Sequence, residues 1–149
     1  MTATAHALVG GAIATSIHNP ALGLTLSIAS HPFLDMIPHW DEGWGWKNKS
    51  KLRLFIESSF DLCLGVGLTV ILFGQFTNLW YLLTCIFMAV VWDLLMIPYL
   101  ILNWKFAPFS WIYKIQHHMQ GKAKLPWGIL TQVVTVLAVI LVLQSISPT

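Results

Sequence analysis

The stretch that decides the fold is PWGILTQVVTVLAVILVLQSI, residues 126–146, which contains no charged side chain. One spanning helix requires about 20 consecutive, mostly apolar residues to cross the hydrocarbon core of a bilayer. Across the whole chain of 149 residues, 56% are apolar and 9% are charged, whereas soluble domains carry about 25% charged residues. The mean hydropathy of +0.71 agrees with this difference. The sequence therefore predicts an integral membrane protein, a single domain over residues 1–149.

Four further apolar segments precede this stretch, at about residues 2–17, 20–37, 52–73 and 79–103. The first is rich in Ala and Gly, which favours close helix packing in lipid. The first two are short for full spans, so we expect a tight hairpin. Its second arm is expected to break at Pro32 and Pro38, since the residue before a proline avoids helical geometry.

Between the last two apolar segments, residues 104–125 are more polar but carry apolar side chains at helical spacing, which predicts an interfacial amphipathic helix. Pro98 is expected to kink the preceding segment. The fold prediction is thus an all-α polytopic membrane bundle of about four to five spans, with a Pro-broken hairpin at its start and a cytoplasmic interfacial helix.

The basic residues orient this bundle. All eight Lys and Arg lie in two stretches, 47–53 and 105–124, which two spans separate and which therefore face the same side. By the positive-inside rule that side is the cytoplasm, which predicts a multi-pass protein of the inner (plasma) membrane. The formal net charge of +2 is too small to indicate nucleic acid. Membrane lipids are the expected partners.

Ionisable side chains inside spans cost about 2.5–3.5 kcal/mol each on insertion, so they are functional candidates. The predicted topology brings most His, Asp and Glu side chains to the cytoplasmic side. His31/Asp35 and Glu57/Asp61 are i,i+4 pairs, each of which shares one helix face. Helix bundles build carboxylate–histidine metal sites from such pairs. The predicted metal ligands are His6, His31, Asp35, Asp61, Asp93 and His117.

A His and carboxylate set without Cys suits Zn²⁺, Mn²⁺ or Fe²⁺, and this number of candidates could hold two ions about 3.5–4 Å apart. Glu57 is the predicted base or orienting residue, with Arg53 as its alternative partner in a structural ion pair. His117 or His118 is a predicted further ligand or general acid/base, because adjacent rings on a helix diverge by about 100° and at most one faces the site. His39 and Asp41 are interpreted as ordinary loop residues.

Two motifs give a resemblance to a known family. AHALVGG at residues 5–11 contains His6, and HPFLDMIPHWD at residues 31–41 closes the second segment. In these motifs the chain resembles small bacterial membrane-bound metal-dependent hydrolase-like proteins, which combine a histidine on a Gly/Ala-rich first helix with a Pro/Asp/His cluster. The family's usual Pro-Asp-x-Asp-His order is not kept, since Leu34 precedes Asp35. The resemblance implies a metal-dependent hydrolase.

The predicted function is hydrolysis of an ester or phosphoester of a lipid or amphiphilic substrate, with a divalent metal as cofactor. A cation- or proton-coupled transporter is the first alternative, in which Asp61 and Asp93 bind the cation, although the sequence has no internal repeat. A haem-binding electron carrier needs facing histidines, which the accompanying carboxylates do not suit. A non-catalytic membrane scaffold leaves Asp61 and Asp93 unexplained.

Overall fold

The computed structural model describes residues 1–41 and 43–146, and over these residues the secondary structure is helical, without strands. The all-α prediction is therefore confirmed. Along the chain the helices are α1 (Ala3–Ser16), α2 (Pro20–Asp35), α3 (Lys51–Phe73), α4 (Leu79–Leu100), α5 (Phe109–Met119) and α6 (Trp127–Ile146), with a short 3₁₀ turn at Trp46–Asn48.

Within the described residues, three helices are long and apolar enough to cross a membrane, namely α3, α4 and α6, with 23, 22 and 20 residues. By contrast, α1 has 14 residues and α2 has 16, both below the length of about 20 that one span requires. A membrane protein is thus supported by three helices, and the prediction of four to five spans is not confirmed.

Polar residues at the predicted breaks start four of the helices. The side chains of Thr2, Asn19, Ser50 and Asn78 each accept a hydrogen bond from a backbone N–H in the first turn of the following helix. Such N-caps satisfy backbone donors that have no partner within the helix. The helix boundaries therefore follow from the sequence to within a few residues.

The prediction that Pro32 breaks the second segment is wrong, because Pro32 lies inside α2, which continues to Asp35. A proline has no N–H, so the carbonyl of Ile28 loses its usual helical donor. The indole Nε1 of Trp92 on α4 donates to that carbonyl instead, at 3.1 Å. The helix therefore stays continuous, and His31 and Asp35 lie one turn apart on it.

Helix α1 lies at the centre of the bundle, packed against α2, α3, α4 and α6. Its small residues permit this close approach. A Cβ added to Gly10 would lie 2.9 Å from Ala89 Cβ and 3.0 Å from Cys85 O on α4. A side chain at this position would therefore push α1 and α4 apart.

The chain after α2 is fixed by the segment between α5 and α6. The N–H of Gly121 donates to Asp35 O at 2.7 Å, and the N–H of Ala123 donates to His39 O at 2.9 Å. A Cβ at Gly121 would lie 2.5 Å from Met36 O, so only glycine permits this approach. These contacts hold His39 against the end of α2.

Candidate metal centre

Five ionisable side chains converge at one end of the bundle. They come from α1, the last turns of α2, the segment after α2, and α4. Four of these side chains are at most 4% exposed, and that of Asp93 is 29% exposed. The five residues are His6, His31, Asp35, His39 and Asp93.

The carboxylate of Asp35 lies at the centre of this cluster. His6 Nε2 is 3.1 Å from Asp35 Oδ1, His31 Nε2 is 3.4 Å from Oδ2, and His39 Nε2 is 3.8 Å from Oδ1. The amino group of Met1 also contacts Oδ1. Asp93 approaches from α4, with its Oδ1 3.5 Å from His31 Nε2. Three imidazoles therefore direct the same ring nitrogen at two carboxylates.

Backbone carbonyls orient two of the imidazoles. The Nδ1–H of His31 donates to Ala89 O, and that of His39 donates to Ile37 O, both at 2.7 Å. This assignment follows from chemistry, because a carbonyl only accepts. Burial lowers the pKa of His39, which favours the neutral form of its ring. A neutral ring that carries its proton on Nδ1 presents a lone pair on Nε2, the form that binds metals.

These Nε2 atoms are buried and, among the described residues, His31 Nε2 and His39 Nε2 lack a hydrogen bond of good geometry. A lone pair that faces a carboxylate oxygen repels it unless a proton or a cation lies between them. Protons on all three rings would repel one another, since the rings of His6 and His31 stack at a centroid distance of 3.7 Å. One divalent cation would satisfy the nitrogens and both carboxylates together, and a proton on His31 Nε2, which faces both carboxylates, is the alternative.

The spacing of the donor atoms fits such a cation. One ligand atom from each of His6, His31 and Asp93 lies within 4.8 Å of the other two. Ligand atoms on a tetrahedral Zn²⁺ lie about 3.3–3.6 Å apart, so an inward movement of the side chains by up to about 1.5 Å would complete a site. Nitrogen and carboxylate donors without thiolate suit Zn²⁺ or Mn²⁺.

A cavity of about 590 Å³ adjoins the cluster. It lies between α3 and α4 and is also lined by residues of α5, by Asp41 and by residues 43–48. Asp93 belongs both to the cluster and to the cavity wall. A molecule in the cavity therefore reaches the cluster at Asp93.

The predicted ligand Asp61 lies outside the cluster, and its carboxylate accepts hydrogen bonds from the start of α1. Its Oδ2 accepts hydrogen bonds from the backbone N–H groups of Ala3 and Thr4, at 2.5 and 3.3 Å, and its Oδ1 accepts from Thr4 Oγ1 at 2.7 Å. A carboxylate at a helix N-terminus satisfies free N–H donors and interacts favourably with the helix dipole. Asp61 thus positions the start of α1, the helix that carries His6.

We expect Asp61→Ala to lower the free energy of unfolding by about 1–3 kcal/mol, since partly buried donors lose their partner, while metal binding is retained. Asp61→Asn, which keeps an acceptor oxygen, should recover at least half of that loss. Thermal unfolding in detergent and metal analysis of the purified variants measure the two effects. Loss of metal from the stable Asp61→Asn protein would instead make Asp61 a ligand.

The other predicted residues lie outside the cluster. Glu57 pairs with Lys49 Nζ at 2.5 Å and with Arg53 Nε at 2.7 Å, a partly exposed arrangement typical of a surface ion pair. His118 is exposed. His117 lines the cavity and stacks on Tyr113, with ring centroids 5.5 Å apart.

Two residues interpreted as ordinary loop residues lie at the site. His39 completes the trio around Asp35, and Asp41 lines the cavity, where burial raises its pKa to about 6. The spacing of His31, Asp35 and His39, at i, i+4 and i+8, is the signal that could have revealed His39. That signal is incomplete, because α2 ends at Asp35 and the contact with Gly121 places His39.

No protein family, curated protein or solved structure matches the chain.

Proposed function

We propose that the protein is a membrane-embedded, metal-dependent hydrolase that acts on an ester or phosphoester of a lipid or amphiphilic substrate. The observation that carries this proposal is the convergence of three buried His Nε2 atoms on Asp35, beside a carboxylate that opens into a cavity. Buried ionisable groups in a membrane protein are costly, so a cluster of this size favours a function over a packing role.

Each residue has a role in this proposal. His6, His31 and Asp93 hold one divalent ion, Zn²⁺ or Mn²⁺, and Asp35 and His39 complete its surroundings. The hydrogen bonds of Asp61 and the ion pairs of Glu57 favour one ion over two. Such an ion, when bound, activates a water molecule and polarises an ester or phosphoryl oxygen. The carbonyls of Ala89 and Ile37 keep the imidazoles oriented.

The membrane placement supports the same proposal. Residues 39 and 122 form a backbone bridge, and Trp46 Nε1 donates to Tyr113 Oη at 3.3 Å, so the two basic segments meet at the end that holds the cluster. We infer that this end faces the cytoplasm of the inner membrane, with α5 at the interface and α1 and α2 within the bundle. A substrate then approaches the ion from the lipid–water boundary.

The test compares metal-stripped and metal-loaded protein in detergent, with the decanoyl ester of 4-nitrophenol and decyl 4-nitrophenyl phosphate as substrates. We expect Zn²⁺ or Mn²⁺ to raise the rate of 4-nitrophenol release from at least one substrate by about 100-fold or more. Asp93→Asn should abolish this increase, and His18→Gln, which changes an exposed histidine, should preserve it. Equal rates for stripped and loaded protein would refute hydrolysis of these bonds.

A further inference from the structure

The cavity beside Asp93 has two chemically different ends. Apolar side chains of α3 and α4 line the part that lies between these two membrane-length helices, including Phe55, Leu62, Leu94 and Ile97. Its volume of about 590 Å³ lies within the range of about 300–1,000 Å³ typical of small-molecule sites. Phe55 lines the cavity and is also 53% exposed on the outer surface, so it lies at an opening towards the surroundings of α3.

The other end of the cavity is basic. Lys47, Lys122 and His117 belong to its lining. Partial burial and the charges of Lys122 and Lys47 lower the pKa of His117, so both lysines lie close enough to this imidazole to act on it. Neither lysine forms an ion pair with a described residue. The carboxylates of Asp41 and Asp93 line the same cavity, but among the described residues neither forms an ion pair with Lys47 or Lys122, so both lysines are available to an anion.

Aromatic rings also line the cavity. Trp44, Trp46 and Tyr113 line the cavity, and Lys47 Nζ lies 5.9 Å from the centroid of the Trp46 ring. Tryptophan and tyrosine favour the level of the lipid headgroups. The lining thus combines apolar, aromatic and basic groups, the three kinds of partner that a lipid molecule in a bilayer leaflet requires.

We propose that this cavity binds a phospholipid with a phosphate headgroup, its hydrocarbon chain between α3 and α4 and its phosphate beside Lys47 and Lys122. Two lysines complement the charge of a phosphate monoester, about −1.5 to −2 at neutral pH. A neutral lipid of the same chain would leave both lysines without a partner. The proposal deepens the proposed function by naming its substrate class, since the bound headgroup lies along the cavity that ends at Asp93.

Binding is measured without metal, so that its failure is distinct from failure of the hydrolase proposal. Detergent-solubilised protein in EDTA is titrated with radiolabelled 1-oleoyl lysophosphatidic acid, and retained lipid is counted after rapid desalting. We expect saturable binding of one lipid per chain. Monoolein, with the same chain and no phosphate, should compete at least about 10-fold more weakly, the effect of 1.4 kcal/mol. Inorganic phosphate should not compete at millimolar concentration.

Matched variants test each end of the cavity. Lys47→Gln/Lys122→Gln should raise the dissociation constant by about 10-fold or more, and Lys105→Gln/Lys124→Gln, which removes equal charge outside the cavity lining, should not. Ser58→Trp, which fills the apolar part, should abolish binding, whereas Thr84→Trp on the exposed surface of α4 should not. Non-saturable retention, equal competition by monoolein or phosphate, or equal effects of a variant and its control would overturn the proposal.

Discussion

His31→Gln is expected to reduce the bound Zn²⁺ or Mn²⁺ of the purified protein to less than about a tenth and to weaken metal affinity by at least about 100-fold. Loss of a partner that merely orients a ligand already costs about 10–100-fold in affinity. His31 faces both carboxylates of the cluster, at 3.4 and 3.5 Å, and its other nitrogen is fixed by Ala89 O. Equilibrium dialysis followed by elemental analysis measures the metal content and the affinity.

The matched control for His31→Gln is His18→Gln, which changes an exposed histidine in the turn before α2. This control should bind metal like the unchanged protein. His118→Gln should also do so, because that side chain is exposed and belongs to neither the cluster nor the cavity lining. A His31→Gln protein that folds and retains full metal content would refute the metal centre.

The second large effect is expected from Gly10→Leu, which forces a side chain between α1 and α4. Overpacking of this kind costs about 1–3 kcal/mol. At about 2–4 °C per kcal/mol for a chain of this size, the midpoint of thermal unfolding should fall by roughly 2–12 °C. His6 lies one turn before Gly10 on α1, so its displacement should lower metal affinity as well.

The control for Gly10→Leu is Gly67→Leu on α3, since an added Cβ there meets no atom within 4 Å. Both substitutions remove a helical glycine and add the same side chain, so their difference isolates the helix contact. The Gly67 variant should unfold at or above the temperature of the unchanged protein, because glycine is a poor helix former. Equal loss of stability in both variants would mean that α1 does not approach α4 closely.

Most of the helix boundaries could be predicted from the sequence, because apolar length and N-cap residues are local signals. The continuation of α2 through Pro32 could not be predicted from local signals. The missing N–H of this proline is compensated by Trp92, which lies on another helix. The number of spans also depends on more than hydropathy, since α1 and α2 are shorter than a bilayer core but pack within the bundle.

Most residues of the candidate site could be predicted because ionisable side chains inside membrane spans carry a free-energy cost. His6, His31, Asp35 and Asp93 were expected together, and the structure brings them together. The sequence assigns Asp61 the same cost of burial. Its partners, however, are N–H groups of α1, which no spacing along α3 reveals. Sequence periodicity identifies the helix face of a polar residue, and only the packed bundle determines what that face meets.

Two hydrogen bonds between α2 and α4, one donated in each direction, hold the geometry of the cluster. Trp92 on α4 donates to the carbonyl that Pro32 leaves free, and His31, the residue before Pro32, donates back to Ala89 O on α4. Interhelical hydrogen bonds in membranes contribute about 0.6 kcal/mol on average, and at most about 1.7. Together these two oppose rotation or sliding of α2 along α4, because either movement breaks both. A proline usually interrupts a helix, and here the carbonyl that it leaves free takes part in holding α2 in the register in which His31 and Asp35 face inward.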